Sequence, residues 1–204
     1  MRRLLAFVVL TCAAFAQDER RVASPNGQIE FRLFIAVQES NNLPRLAYEV
    51  FYHSQPLVKT SFMGLDIEVQ EPLLGENVGL TSSSTSKSEK YNSLIAHYMQ
   101  NGSLGRLIDV EARAYDDGVA FRYIIPPSTP LKEFIITEEA TEFRLVSPAT
   151  ITESKSQNYP PMHVDRATMQ ARLHHPFEGT TPLTCPWRII ALDPKSAVIS
   201  DLGH

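Results

Sequence analysis

Apolar and polar residues alternate in several short stretches of the chain, a pattern typical of β-strands with one buried face. In residues 28–37, apolar side chains occupy every second position, and the Ser-Pro-Asn-Gly turn of residues 24–27 precedes them. Residues 46–52 form a second predicted strand, rich in aromatic and aliphatic residues. The polar residues 39–44 between these strands end in proline, which predicts a hairpin loop.

The clearest hairpin spans residues 108–123, where apolar and polar side chains alternate on both sides of a central turn. The turn contains Asp116, Asp117 and Gly118. An Asp-Gly pair tolerates the positive φ angles that tight hairpins require, so we predict a two-residue turn of that kind here.

Shorter apolar stretches predict further strands at residues 56–60, 65–69, 134–143, 169–173 and 187–192. Residues 81–90, in contrast, are mostly serine, threonine and lysine without an apolar period, which predicts an exposed loop. After residue 16, no segment has a sustained 3.6-residue period. Many short strands separated by turn signals predict an all-β sandwich or barrel, formed as one domain by residues 17–204.

The first 16 residues have the layout of a secretory signal peptide. Arg2 and Arg3 precede an apolar run over residues 4–15, and small residues at Ala14 and Ala16 mark a cleavage site. The run is too short to span a bilayer, and no later segment is apolar enough to do so. We therefore expect an exported chain, periplasmic or secreted, without a transmembrane segment.

The composition of the exported chain restricts the classes of partner it can bind and the disulfide bonds it can form. The full sequence has 23 acidic and 19 basic residues, and signal cleavage removes two of the basic ones. An acidic chain without a basic patch argues against nucleic-acid binding. Cys185 is the only cysteine after residue 16, so an internal disulfide is excluded and a hydrophobic core must stabilise the fold.

Common catalytic and metal-binding motifs are missing from the sequence. It contains no H-E-x-x-H, C-x-x-C, G-x-S-x-G or G-x-G-x-x-G pattern and no Walker loop. His174 and His175 are adjacent, and neighbours on a strand point to opposite faces, so together they make a poor metal site. We interpret both as exposed loop histidines.

Carboxylates and aromatic rings are the remaining candidates for chemistry, because glycoside hydrolysis needs two acids and sugar binding uses flat rings. The acids are Asp116, Asp117, Glu138, Glu139, Glu142 and Glu153. The aromatic candidates are Tyr48, Phe51, Tyr52, Tyr91, Tyr98, Tyr159 and Trp187. We interpret the first two acids as turn residues, Glu138 and Glu139 as a solvated strand end, and most of the rings as core. Asn101-Gly102-Ser103 fits a glycosylation sequon, but a plain turn is the favoured interpretation.

Several of these stretches, taken in order, resemble the N-terminal domain of the family 97 glycoside hydrolases, the bacterial α-glucosidase and α-galactosidase group. They are residues 22–27, 46–50, 61–65, 111–123, 184–190 and 200–202. The Tyr-Asp-Asp-Gly-Val-Ala-Phe-Arg-Tyr segment within 111–123 is the most specific. The resemblance implies a galactose-mutarotase-like β-super-sandwich of antiparallel strands that packs against a (β/α)8 barrel carrying the catalytic glutamates and a calcium ion.

The resemblance also implies one metal ligand. The context of Glu153, between Thr152 and Ser154, is similar to that of a family glutamate that donates a carboxylate to calcium, a hard cation that prefers oxygen. Calcium takes six to eight oxygens, so this implied site needs the barrel. The family sequence is longer before this glutamate and continues after residue 204, so we expect a truncated domain.

Three hypotheses follow for function. The first is a non-catalytic domain that binds a carbohydrate of the α-glucoside or α-galactoside class or docks on a catalytic barrel. The second is a fragment of a calcium-dependent glycosidase without activity of its own. The third is an active glycosidase that uses Glu153 and a neighbouring acid such as Asp165. Hydrolysis by the chain alone separates the third from the other two. A barrel-coding sequence in another reading frame or in a neighbouring gene favours a fragment or a split enzyme.

Overall fold

A computed structural model of the chain describes residues 17–38, 42–102, 105–146, 149–151, 160, 162–165, 167–193 and 196–202. Within these residues the chain forms strands, turns and loops and no helix, which confirms the all-β prediction. Accordingly, none of the described residues belongs to a helix that could cross a membrane. The proposed signal peptide, residues 1–16, lies outside the described residues.

Eighteen strands follow one another in the described part of the chain. They are β1 Gln17–Ala23, β2 Ile29–Val37, β3 Pro44–Tyr52, β4 Gln55–Phe62, β5 Leu65–Ile67, β6 Gln70–Leu74, β7 Val78–Lys87, β8 Tyr91–Gln100, β9 Leu107–Tyr115, β10 Gly118–Ile125, β11 Glu133–Glu139, β12 Ala149–Ile151, β13 Met162–Asp165, β14 Gln170–Leu173, β15 Phe177–Thr180, β16 Leu183–Thr184, β17 Trp187–Asp193 and β18 Ser196–Leu202.

The strands form two layers. One layer contains a four-stranded sheet, β1-β2-β3-β4, and a second four-stranded sheet, β15-β11-β5-β6. The other layer is an eight-stranded sheet in the order β12-β18-β17-β10-β9-β8-β7, with β16 added beside β10. A separate hairpin joins β13 and β14. Among the described strand pairings, β12 with β18 is parallel and the others are antiparallel. The architecture confirms the predicted β-super-sandwich.

The inward faces of the two layers share one hydrophobic core. At its centre, Phe31 of β2 and Tyr48 of β3 contact Phe121 of β10, with ring centroids 5.8 and 4.9 Å apart. Phe143 extends the aromatic cluster, 6.3 Å from Phe121. All four side chains are fully buried. Aromatic pairs of this kind add about 0.5–1.5 kcal/mol each beyond the burial of their area, so this cluster joins the layers firmly.

The exposed loop predicted for residues 81–90 is wrong over most of its length. Val78–Lys87 forms β7, the last strand of the eight-stranded sheet, and pairs along its length with β8. Most of its side chains beyond Leu80 are exposed, so neither face leaves an apolar period in the sequence. An edge strand with polar side chains on both faces is a common way to discourage edge-to-edge association, and its sequence reads like a loop.

The 108–123 hairpin is confirmed, but the reason for its glycine differs from the predicted one. β9 and β10 pair with Tyr115 opposite Gly118, and Asp116 and Asp117 form the turn. None of Asp116, Asp117 and Gly118 has a positive φ. Gly118 is instead required by close packing, because a Cβ there would lie 2.6 Å from the carbonyl oxygen of Ile190 and 2.9 Å from the Cα of Ala191.

Replacing Gly118 by alanine is therefore expected to destabilise the fold by about 1–3 kcal/mol, the usual cost of overpacking. The contacted atoms are backbone atoms of β17, which cannot rotate away. Gly79→Ala is the matched control, since the nearest atom to a Cβ there is the Asn101 side-chain oxygen at 3.8 Å. Urea unfolding should show a loss for Gly118→Ala and little change for Gly79→Ala. Equal effects would contradict the packing explanation.

Candidate functional site

Glu139 lies at the end of β11, inside the sandwich, and is fully buried with Arg188 of β17. The Nε of Arg188 donates to Oε1 of Glu139 at 2.8 Å, and its Nη2 donates to Oε2. This is a two-pronged guanidinium–carboxylate pair. The prediction that Glu138 and Glu139 form a solvated strand end is therefore wrong for Glu139, which is buried. The positive charge of Arg188 offsets the cost of burying the Glu139 carboxylate.

A chain of buried hydroxyl groups extends this ion pair across the core. Thr141 donates from Oγ1 to Oε1 of Glu139 at 2.9 Å, and the Thr141 and Tyr123 hydroxyls lie 2.6 Å apart. The backbone N–H of Gly64 donates to the Tyr123 hydroxyl at 3.2 Å. Burial raises the pKa of Tyr123, and the nearby Glu139 carboxylate raises it further. The network links β10, β11, β17 and the β4–β5 connection.

Two side chains of β3, in the same layer as β11, hold the irregular segment that follows β11. Arg45 donates from Nε to the Met63 carbonyl at 2.9 Å and from Nη2 to the Ala140 carbonyl at 2.5 Å. The hydroxyl of Tyr48 donates to the Glu142 carbonyl at 2.7 Å. These contacts fix the backbone that leads towards Glu153.

Glu153 itself falls in residues 152–159, outside the described part of the chain, so its calcium role stays a prediction. Within the described residues, no cluster of three or more histidine, cysteine, aspartate or glutamate side chains could hold a metal ion. His174 and His175 lie in an exposed bend, as predicted.

The remaining acidic candidates make local structural contacts. Asp116 accepts a hydrogen bond from the backbone N–H of Asn26 at 2.9 Å, in agreement with its interpretation as a turn residue. Glu138 accepts from the backbone N–H of Leu173 at 2.7 Å and lies 3.3 Å from Nη1 of Arg172. Glu142 lies 2.9 Å from Nε of Arg144.

Asp165, the second acid of the glycosidase hypothesis, stabilises an exposed turn. Its Oδ1 accepts from the backbone N–H groups of Ala167 at 2.8 Å and Thr168 at 3.1 Å. These donors lower the pKa of the Asp165 carboxyl, the Thr168 N–H first. A general acid in glycoside hydrolysis needs a raised pKa instead, so this environment suits an ionised turn residue rather than a proton donor.

The outer face of the eight-stranded sheet carries a cluster of aromatic and charged side chains around Trp187. The guanidinium groups of Arg113 and Arg122 lie over the Trp187 ring, 4.4 and 4.3 Å from its centroid. Both arginines also pair with Glu111, at 3.0 and 2.7 Å. Trp187 is only 9% exposed, so this cluster covers the ring rather than offering it for stacking with a sugar.

At one end of this cluster, Tyr91 and Tyr115 face each other across β8 and β9 with ring centroids 5.1 Å apart. Arg113 lies 4.7 Å from the Tyr91 centroid and so joins the pair to Trp187. Of the other aromatic candidates, Tyr48 and Tyr98 are buried in the core, as interpreted from the sequence. Tyr52 is 40% exposed, and Tyr159 lies outside the described residues.

A shallow depression of about 560 Å³ lies between β11 and β15. Three glutamates line it, Glu68, Glu133 and Glu178, together with the side chain of Phe134. Its negative charge comes from residues that the sequence did not single out. Carboxylates alone do not identify a ligand, and within the described residues these three do not belong to a group that could hold a metal ion.

The Arg188–Glu139 pair is the main feature that sequence reasoning missed. One signal was present: Arg188 interrupts an otherwise apolar strand, and a charge at such a position is buried only when it has a partner. The partner could not be identified, because Glu139 is one of many glutamates and lies far away in sequence.

Comparison with known proteins agrees with the fold. Residues 22–151 match the family described as the glycosyl-hydrolase 97 N-terminal domain. Among curated proteins, no sequence matches the chain at a significant level.

Solved structures with the same fold include a glycoside hydrolase family 97 enzyme from Pseudoalteromonas sp. strain K8. One structure of this enzyme contains acarbose, and a structure of a variant of it contains panose. In both comparisons the identity is 16% and the TM-score 0.66, and the match covers 86% of this chain but 36% of the enzyme. A β-arabinopyranosidase matches at 17% identity and TM-score 0.66, over 88% of this chain and 40% of that one. The chain thus spans well under half the length of these neighbours.

Proposed function

This chain belongs to the glycosyl-hydrolase 97 N-terminal domain family, and from that membership we propose that it acts as a non-catalytic sandwich domain that docks against a catalytic barrel. The observation that carries the proposal is the partial coverage. The same fold forms only 36–40% of the length of neighbours that are glycosidases by name, so most of each of those chains lies beyond it.

The local roles of the acids support a non-catalytic domain. Glu139 neutralises Arg188 in the core, and Asp165 and Asp116 hold turns. A glycosidase needs two carboxyl groups that face each other across a sugar with their pKa values set apart. Acids already committed to a buried ion pair and to backbone N–H groups are poorly placed to supply that chemistry.

The proposed ligand class of the assembled protein is an α-glucoside or α-galactoside. Two neighbouring structures contain acarbose or panose, which supports sugars as the ligands of this lineage. The sandwich would contribute a rigid surface, since the segment leading towards Glu153 is hydrogen-bonded to Tyr48 of one layer and to Tyr123 of the other.

Calcium enters the proposal only together with the barrel, with Glu153 as one ligand. A single carboxylate cannot satisfy a cation that takes six to eight oxygens. Calcium added to the chain alone should therefore leave its melting temperature unchanged, because a ligand raises stability only when it binds the folded state. A calcium-dependent rise that Glu153→Ala abolishes and Asp165→Asn retains would contradict the need for a barrel.

We also propose that the chain is exported and cleaved after Ala16. Amino-terminal sequencing of the protein recovered outside the cytoplasm should begin at Gln17. Protein that starts at Met1 and stays in the cytoplasm would contradict the export proposal.

Docking is tested first in the gene neighbourhood. The proposal expects a barrel encoded in frame after codon 204 or in an adjacent gene. When the two are separate chains, an affinity tag on the barrel should retain the sandwich chain in equimolar amount after co-expression. A neighbourhood without any barrel sequence, or a barrel that never retains the folded chain, would contradict docking and favour an inactive fragment.

A further inference from the structure

The chain contains two Asn-Gly pairs in exposed turns, Asn26-Gly27 and Asn101-Gly102. Both glycines have positive φ, 72° and 120°, and no atom lies within 4 Å of a Cβ built on either. Asn-Gly is the sequence most open to attack of the glycine nitrogen on the asparagine side chain, because glycine places no side chain in the way. By dipeptide sequence and exposure, the two sites look alike.

Hydrogen bonds in the turn around Asn26 hold both groups that would react, the Asn26 carboxamide and the Gly27 nitrogen. Its side-chain Oδ1 accepts from the Ser24 hydroxyl at 2.7 Å and from the Gln28 N–H at 2.9 Å. The N–H of Gly27, which would be the nucleophile, donates to the Ser24 carbonyl at 2.9 Å. Attack at this site requires that the carboxamide turn away from two donors and that the glycine nitrogen leave its acceptor.

Asn101 has the opposite arrangement. Its backbone is fixed, since its N–H donates to the Asn77 carbonyl at 2.7 Å and its own carbonyl accepts from Nδ2 of Asn77 at 3.3 Å. Within the described part of the chain, neither the Asn101 carboxamide nor the N–H of Gly102 has a hydrogen-bond partner. The Asn101 side chain can therefore rotate towards the Gly102 nitrogen without breaking a hydrogen bond at either group within the described residues.

We propose that Asn101 is a site of spontaneous deamidation and that Asn26, despite the same sequence, is protected by its turn. The backbone nitrogen of Gly102 forms a bond to Cγ of Asn101, and the side-chain nitrogen leaves as ammonia together with the proton lost from Gly102. Water then opens the cyclic imide at either carbonyl and leaves an aspartate or an isoaspartate. No oxidant, reductant or enzyme is needed.

The expected reaction changes the chain at Asn101, and each event adds negative charge. Each event replaces a neutral amide by a carboxylate on a chain that already has more acidic than basic residues. Isoaspartate also adds one methylene to the main chain, which shifts the backbone that pairs with Asn77. The Asn101-Gly102-Ser103 segment, which fits a glycosylation sequon, is thus better described as a chemically labile turn.

The test compares the two sites within the same molecule. The folded 204-residue chain is incubated at mildly alkaline pH, and tryptic peptides 22–32 and 91–106 are followed by mass spectrometry, with fragment spectra that separate Asn101 from Asn92. Asn101 should react at least about tenfold faster than Asn26, since the protecting hydrogen bonds are worth about 1.4 kcal/mol or more together. Equal rates in the folded chain, or faster reaction at Asn26, would overturn the proposal.

Two further comparisons test the cause. In denaturing urea the turn is lost, so the two rates should converge, and a difference that persists there would overturn the structural explanation. Ser24→Ala removes one hydrogen bond from the Asn26 side chain. In this variant Asn26 should react faster while Asn101 is unchanged, and an unchanged Asn26 rate in a variant that still unfolds cooperatively would count against the proposed protection.

Discussion

Replacing Arg188 by methionine is expected to lower the free energy of unfolding by about 3–5 kcal/mol, because the change leaves the Glu139 carboxylate buried without its counter-charge. Both side chains are fully buried, at 1% and 0% exposure, so water cannot take over the lost contact. Methionine is unbranched and flexible, which keeps a steric effect small. Urea unfolding monitored by circular dichroism measures the change.

Two controls separate charge burial from the loss of a side chain. Arg188→Met combined with Glu139→Leu removes both charges and should recover much of the lost stability, since apolar pairs often replace buried ion pairs at little cost. Arg32→Met removes a partly exposed pair with Glu30 and should cost about 1 kcal/mol or less. A double variant less stable than Arg188→Met alone would show that the pair is not the reason for the effect.

Tyr123→Phe is expected to cost about 2–4 kcal/mol, because it strands the buried Gly64 N–H, at about 1–3 kcal/mol, and removes the hydrogen bond between the Tyr123 and Thr141 hydroxyls, at about 1 kcal/mol. Thr141 keeps its hydrogen bond to Glu139. Tyr98→Phe is the matched control in the same core. Its hydroxyl is buried without a partner among the described residues, and burial raises its pKa. Removing that hydroxyl should leave stability unchanged or raise it by about 1 kcal/mol.

The opposite signs make this pair informative. Both tyrosines lie on the inward face of the eight-stranded sheet, on β8 and β10, and both are at most 1% exposed. Any general effect of losing a hydroxyl would move the two melting temperatures in the same direction. Equal destabilisation of both variants in differential scanning calorimetry would contradict the role given to the Tyr123 network.

The strands with one buried face could be predicted from the sequence. In β2, β9 and β10 the period of two is visible because the outer face is polar and the inner face apolar. β7 was missed because it has no buried face, and β8 because its outer face carries apolar and aromatic side chains beside its inner one, which blurs the period. The sequence pattern is therefore lost in β7 through exposure of both faces and in β8 through apolar side chains on the outer face.

β17 shows why the site could not be derived in the same way. In this strand Trp187 points to the outer face, where two arginines cover it, and the adjacent Arg188 points into the core. Hydrophobicity alone predicts the reverse orientation. The choice depends on Glu139, which is close in space and 49 residues away in sequence. The charge within an apolar strand signals that a partner exists, but nothing local in the sequence identifies Glu139 as that partner.

In the proposed function this sandwich acts only together with a barrel, and hydrolysis of a chromogenic α-glucoside tests this dependence most directly. The purified 204-residue chain should release chromophore at the rate of the buffer blank, and the same chain assembled with its barrel should turn the substrate over. Turnover by the chain alone that disappears in Glu153→Gln or Asp165→Asn would contradict the account and establish the sandwich as a glycosidase in its own right.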